Sequence, residues 1–255
     1  MSIHPAQRCR FVVLTKNSGR WLDVILDAYE ALGIFPFVLL DASSSDGTEQ
    51  LLRRRTAAFA KELPEFPRAE ALIASIARHV QSEWVVRLDD DELPSRGMQQ
   101  WVEEQAAADH DRAVFGFQRR WIRLAPGGVC EYSRHPLIVS RLGVLDAQWR
   151  MFRPAAVRYR SDIHTPGFFV PKGSGIAPHR AYIGHFSWLV RSASERRLQI
   201  EDYDRQEAQA GSRFRAIKVW EDCDLTEHRF RAMDTDEFDR PVAALAATFQ
   251  SPACV

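Results

Sequence analysis

The sequence predicts an α/β fold: a mostly parallel central sheet flanked by helices. Three observations lead there. Apolar, strand-forming runs alternate with amphipathic helical segments over the first ninety residues, the pattern of a parallel sheet with crossover helices. The runs are continuously apolar, as strands covered on both faces are. Each ends abruptly in polar or acidic residues, and in such sheets ligands gather outside the carboxyl ends of the strands.

The elements follow in order. Arg10–Thr15 reads as the first strand and Lys16-Asn17-Ser18-Gly19 as a turn, with Asn17 or Ser18 able to cap the next helix. Trp21, Leu22, Ile25, Leu26, Tyr29 and Leu32 share one helical face, and Gly33 is placed to end it. Phe37–Asp41 is the second strand. In the small, polar loop after it, Asp46 and Glu49 resemble a capping arrangement, so a helix should start near Gly47 and run through Arg53-Arg54-Arg55. Leu72, Ile73, Ile76, Ala77 and Val80 repeat at helical spacing.

Trp84–Leu88 is then a buried strand running into Asp89-Asp90-Asp91-Glu92. Strand alternation would set Asp89 and Asp91 on one face and Asp90 and Glu92 on the other. Four close carboxylates repel one another unless compensated. A divalent cation is the usual remedy, and hard oxygen ligands suit Mg²⁺, Mn²⁺ or Ca²⁺.

Further on, Met98, Trp101 and Val102 mark a short helix and Ala113–Phe117 a strand. Arg119–Arg123 is a basic, aromatic patch, Pro126-Gly127-Gly128 a turn and Pro136–Val139 a short strand. Ser192 with Glu195 forms a capping box that opens a helix, and Gly211 is a natural stop.

Bulk properties bound the function. The 255 residues are 45% hydrophobic and 27% charged, which fits a globular chain with a sizeable core. Lys+Arg and Asp+Glu are both 34, so no net charge draws the chain to nucleic acid. No apolar run is long enough to span a bilayer, and the first residues lack the apolar core of a signal peptide. Cys9, Cys130, Cys223 and Cys254 match no zinc spacing, and reduced thiols in a cytoplasm are expected. There is neither a G-x-G-x-x-G fingerprint after the first strand nor a P-loop.

Three blocks in order resemble the family-2 glycosyltransferases. They are Val12–Asn17, Leu39-Leu40-Asp41-Ala42-Ser43-Ser44-Ser45-Asp46-Gly47-Thr48, and Glu83–Glu92 with its Leu-Asp-x-Asp-Glu ending. The resemblance implies a GT-A (Rossmann-like) fold with a mixed acceptor-side half. It implies one domain over 1–240, with 1–92 binding the nucleotide-sugar and 93–240 the acceptor, and a tail at 241–255. It also implies transfer from a nucleotide-diphosphate sugar, UDP-linked in the first instance, to an acceptor hydroxyl with inversion. On this reading Asp41 contacts the nucleobase, Asp89 the ribose, and Asp91 a metal (Mn²⁺ or Mg²⁺) on the diphosphate; Thr15 and Asn17 belong to the donor site. The chain departs from the family pattern at Lys16-Asn17-Ser18, where an acid often follows the Asn, and at Ala42, where a second Asp is common.

Looser blocks follow. Gln148–Arg153 resembles the family's R-L-F-R segment, and Asp162–Gly167 and Ile183–Trp188 resemble two histidine blocks. These bring in Arg150 and Arg153 as phosphate clamps, or else as partners of surface acids. His185 enters as a further metal ligand beside Asp89 and Asp91. His164 is read as structural, and Trp121, Trp149 and Trp188 as core residues or sugar platforms. An inverting reaction needs a base for the acceptor hydroxyl. Asp162 is preferred over Asp146 and Glu131. The acceptor is a glycan, a lipid-linked molecule or a small molecule. Two other readings share the architecture: a sugar nucleotidyltransferase, disfavoured because the Gly-rich opening loop is missing, and a non-catalytic carbohydrate-binding or scaffold protein.

Overall fold

The computed structural model describes residues 8–64, 69–108, 111–125, 128–133, 147–162, 165–208, 219, 230–233 and 235–250. The expected Pro136–Val139 strand, His164, Asp146, the Gly211 stop, Cys223 and Cys254 lie outside them, as does most of the expected turn at 126–128. The chain packs as two compact units, one formed by 1–118 with 147–183 and the other by 119–146 with 184–255.

The first unit carries the predicted α/β architecture. β1 (Cys9–Thr15), β2 (Phe37–Asp41), β3 (Phe59–Glu62) and β4 (Trp84–Asp89) are parallel neighbours in the order β3-β2-β1-β4. β8 (Ala147–Phe152) adds antiparallel to β4, and β6 (Val114–Leu124) adds antiparallel to β8. The sheet is therefore mixed on that side and parallel on the other. Val12–Thr15 and Val38–Asp41 are buried without alternation, as strands covered on both faces must be.

Helices α1 (Leu22–Ala31) and α2 (Thr48–Arg54) are the expected crossovers. α1 buries Leu22, Ile25, Leu26 and Tyr29, the face read from the sequence. It ends at Gly33, whose left-handed φ of 73° lets its N–H reach Glu30 O at 2.8 Å. The helical spacing from Leu72 to Val80 is broken into α3 (Ala69–Ile73) and α4 (Ile76–His79). Their Ile73 and Ile76 pack with Val12, Leu14, Leu39, Val85 and Phe152 in one core. β3 has no counterpart in the reading above. It is an edge strand of sequence Phe-Ala-Lys-Glu with no fully buried residue, so it lacks an apolar signal.

β5 (Glu92–Pro94) and α5 (Arg96–Ala107) follow the acidic run. Ser95 caps α5 by accepting from Met98 N at 3.0 Å. A short separate ribbon pairs β9 (Arg158–Tyr159) antiparallel with β10 (Phe168–Phe169).

In the second unit the far end of β6 pairs with β7 (Cys130–Ser133), and β7 with β12 (Phe230–Ala232). The Arg119–Arg123 patch is thus part of a strand. The unit also holds α6 (Ser187–Val190), α7 (Ala193–Gln206) and α8 (Asp239–Gln250). α7 opens with the predicted capping box, Ser192 Oγ accepting from Glu195 N and Glu195 accepting from Ser192 N. The stretch expected as a tail begins inside α8, where Val242 and Leu245 are buried.

Candidate active site

Parallel pairing of β1 with both β2 and β4 brings three polar strand tips together, and hydrogen bonds tie them. Asn17 sits in the left-handed region at φ 52°. Its Oδ1 accepts from Ser45 N at 2.9 Å, and its own N–H donates to Ser44 Oγ at 3.2 Å. Ser18 N donates to Thr48 Oγ1 at 2.9 Å, and Gly19 N to Asp46 Oδ2 at 2.8 Å. A side chain at Gly19 would meet Asp46 O at 2.9 Å, so the loops approach as closely as glycine allows.

Neither Asn17 nor Ser18 caps α1 by its side chain, contrary to expectation. α1 begins after Trp21 with no side-chain cap, because both side chains are drawn to neighbouring loops. Asp46 does accept from Thr48 N at 3.1 Å at the start of α2, in the manner of an Asx turn.

Asp41, at the tip of β2, is only 2% exposed. Its Oδ1 accepts from Ser43 N at 2.8 Å and Ser43 Oγ at 2.7 Å, and its Oδ2 pairs with Lys16 Nζ at 3.3 Å. Lys16 itself is exposed. Thr15, the last residue of β1, is buried.

The acidic run departs from strand alternation. β4 ends at Asp89, Asp90 and Asp91 form a turn, and Glu92 opens β5. Asp89 and Glu92 are thereby brought to one guanidinium, that of Arg150. Arg150 donates to Asp89 Oδ2 at 2.7 Å and to Glu92 Oε1 at 2.6 Å. Arg87 donates to Asp89 Oδ1 at 2.6 Å. Glu92 Oε2 accepts from Asp89 N at 3.1 Å. Asp90 turns to the first loop instead, where its Oδ2 accepts from Ser18 Oγ and, at 3.3 Å, from Lys16 N. Its backbone carbonyl accepts from Trp21 Nε1 at 3.1 Å. Asp91 is buried in the turn.

Two arginines thus balance two of the four acids, the task the sequence reading gave to a cation. Among the described residues no group of three or more His, Cys, Asp or Glu is arranged to hold a metal ion. With both Asp89 oxygens engaged by guanidinium, the described side chains do not fit a Mg²⁺ or Mn²⁺ site as they stand. Buried beneath the run, Tyr29 donates to Glu92 O at 3.2 Å. Burial, then the nearby Glu92 and Asp89 carboxylates, holds its hydroxyl protonated well above its ordinary range.

The remaining candidates are placed as follows. Arg153 pairs with Glu83 at 3.1 Å and lies over the Trp84 ring at 4.5 Å, so it serves the strand rather than an open cleft. Asp162 is exposed just after β9 and pairs with Arg160 at 2.5 Å. Glu131 is held by Arg123 at 2.7 Å. His185 belongs to the second unit. It is buried at the end of β11 (Tyr182–His185), with Trp121 edge-on at 4.1 Å and Trp188 5.1 Å from Trp121.

Sequence reasoning missed Lys16, Ser18 and Arg87 as site residues. Arg87 had a signal: a charge inside an otherwise apolar buried strand, two residues from Asp89 and so on the same face. The roles of Lys16 and Ser18 depend on which loops meet, and no local pattern carries that.

No family model matches the chain, and no curated protein does. Among solved structures it is similar to S. aureus TarS 1-349, at 14% identity and TM-score 0.48, covering 84% of this chain and 70% of that one. It is similar to glucosyl-3-phosphoglycerate synthase from Mycobacterium tuberculosis in complex with Mn²⁺ and uridine-diphosphate-glucose, at 16% identity and TM-score 0.37, covering 46% of this chain and 44% of that one. A third likeness is to CMP:2-keto-3-deoxy-manno-octonic acid synthetase complexed with CTP, at 12% identity and TM-score 0.37, covering 58% and 75%. The chain spans less than half of the synthase and of a longer TarS structure.

Proposed function

We propose that this chain is a glycosyltransferase of the GT-A type, moving a sugar from a nucleoside-diphosphate donor to an acceptor hydroxyl. The carrying observation is the joining of three polar tips at the carboxyl ends of β1, β2 and β4. They carry Thr15 and Asn17, Asp41, and Asp89 to Asp91, the residues on which the family resemblance rests. That is where an open α/β sheet binds its ligand.

In this reading UDP is the donor nucleotide, Asp41 receives the base and Asp89 the ribose. Arg150 acts by fixing Asp89 and Glu92 rather than by gripping phosphate. As the glycosidic bond breaks, negative charge develops on the departing diphosphate, and Lys16 at the same tips lowers its cost. Asp162 takes the acceptor proton, and attack from the opposite face inverts the anomeric carbon. On the family resemblance Asp91 is the proposed contact to a diphosphate-bound metal, which would supply Lewis-acid stabilisation of the leaving group. No step is assigned to a metal, because the described residues do not assemble its ligand set.

Donor hydrolysis tests the reading. Purified protein given a panel of nucleotide-sugars, with Mn²⁺, Mg²⁺ or chelator, should release nucleoside diphosphate from one of them. Asp91→Asn should abolish release while the protein stays folded. Absence of both release and nucleotide binding across the panel would favour a carbohydrate-binding or scaffold role.

A further inference from the structure

We propose that the outward face of the β9–β10 ribbon is a docking surface for an anionic, phosphate-bearing lipid surface. This inference stands on the ribbon alone and does not depend on the function proposed above.

The ribbon is built in two faces. Register pairs Tyr159 with Phe168 and Arg158 with Phe169, so alternate residues face opposite ways. The inward face is anchored. Phe168 is buried with its ring 4.7 Å from Phe152 in the core of the first unit. Arg160 N donates to Gly167 O at 2.9 Å, and Gly167 lies so close to Ile73 that a side chain there would meet Ile73 Cδ1 at 2.3 Å. The outward face is therefore carried on a seated base.

That outward face has an unusual composition. On that face Phe169 is 43% exposed, and Val170, just past the end of the ribbon, is 36% exposed. The Arg158 guanidinium lies over the Phe169 ring at 4.4 Å, and that of Arg160 at 4.7 Å. Lys172 is exposed just beyond, and Asp162, paired with Arg160, offsets one of these three charges. Fold stability does not call for an aromatic ring in water between cations.

The chemistry selects the occupant. Guanidiniums recognise phosphate through a planar fork, so the partner is anionic. A base or sugar would need the π surface that the guanidiniums lie over. A hydrated polyanion would be tracked by a longer run of cations, and it offers no apolar phase to the ring edge or to Val170. A lipid headgroup layer provides both, with phosphates at the level of the guanidiniums and acyl chains beneath for the ring. Among the described residues no helix is long and apolar enough to cross a membrane, so such contact would be peripheral.

Vesicle flotation of the full chain tests this, using phosphatidylcholine alone against phosphatidylcholine mixed with phosphatidylglycerol. Binding should appear only with the anionic lipid and fall as salt is raised. Arg158→Gln should weaken it roughly fivefold, as expected for one cation near an anionic surface. Phe169→Ser should weaken it roughly tenfold by removing the inserted apolar group. Both positions are exposed, and near-UV circular dichroism would confirm native packing. The proposal is overturned if anionic vesicles are not bound at low salt, or if both variants bind as the parent does. Binding of soluble polyphosphate without binding of vesicles overturns it in favour of a polyanion site.

Discussion

Arg150 and Glu92 form a buried ion pair at 2.6 Å, with side chains 3% and 0% exposed, and the same guanidinium nitrogen also holds Asp89. Desolvating two charges is expensive, and losing one partner leaves the other charge stranded. Arg150→Met should therefore cost about 3–5 kcal/mol in urea unfolding. Arg150→Met combined with Glu92→Gln should cost less than the sum of the two single changes, because the stranded charge is removed with its partner. A double-mutant cycle that closes additively would show that the pair does not act as a unit.

Asn17 separates backbone from side-chain effects at the first strand tip. Its φ of 52° costs an L-residue about 1 kcal/mol, and its Oδ1 holds Ser45 N. Asn17→Gly relieves the backbone and loses the hydrogen bond, whereas Asn17→Ala keeps the strain and also loses the bond. We expect Ala to be less stable than Gly by about 1 kcal/mol in thermal or chemical unfolding. Both should weaken nucleotide binding, because each removes one of the hydrogen bonds that tie the β1 loop to the β2 loop. Nucleotide titration by calorimetry checks this, and unchanged affinity in both variants would detach the loop contact from the proposed donor site.

Much of the fold was legible because its signals are local. β1, β2, β4 and α1 came from apolar runs and periodicity and α2 from the capping arrangement of Asp46 and Glu49, and the meeting of the strand tips follows from a parallel sheet. The acidic run was legible as a site but not in its geometry. Alternation holds only while the strand continues, and β4 stops at Asp89. Arg150 reaches Asp89 from a strand 61 positions away, so its hydrogen bonds to those carboxylates have no local signature. β3 was illegible for the opposite reason, since an edge strand with polar residues buries too little to leave an apolar pattern.

Two glycines with the same backbone and different surroundings test the seating of the ribbon. Gly167 and Gly173 have φ of 83° and 81°, but a side chain at 167 would collide with Ile73 while one at 173 would meet nothing within 4 Å. Gly173→Ala should cost only the left-handed conformation, about 1 kcal/mol. Gly167→Ala adds overpacking of about 1–3 kcal/mol. Equal losses in the two variants would mean that the ribbon moves away from Ile73 at no cost.

The thiols give a test that depends on pH. Burial, then the Glu103 charge, pushes Cys9 up to about 12. Burial, then Asp239 and Glu131, does the same for Cys130. The thiolate is the reactive form, and each unit of pKa above the solution pH lowers its fraction tenfold. At pH 8 a free thiol near 8.5 is about a quarter ionised, against about one part in ten thousand here. With Cys223 and Cys254 replaced by serine, iodoacetamide should label the native protein at least about a hundredfold more slowly than the urea-unfolded chain. The same raised values make a stability statement. Both thiols are neutral in either state below about pH 8, so nothing changes there. Between about 8.5 and 12 the unfolded chain ionises first, and stability should fall as pH rises. Unfolding at pH 7.5 and pH 10, compared with Cys9→Ala, isolates the contribution of that thiol. An equal pH dependence in the two proteins would contradict it.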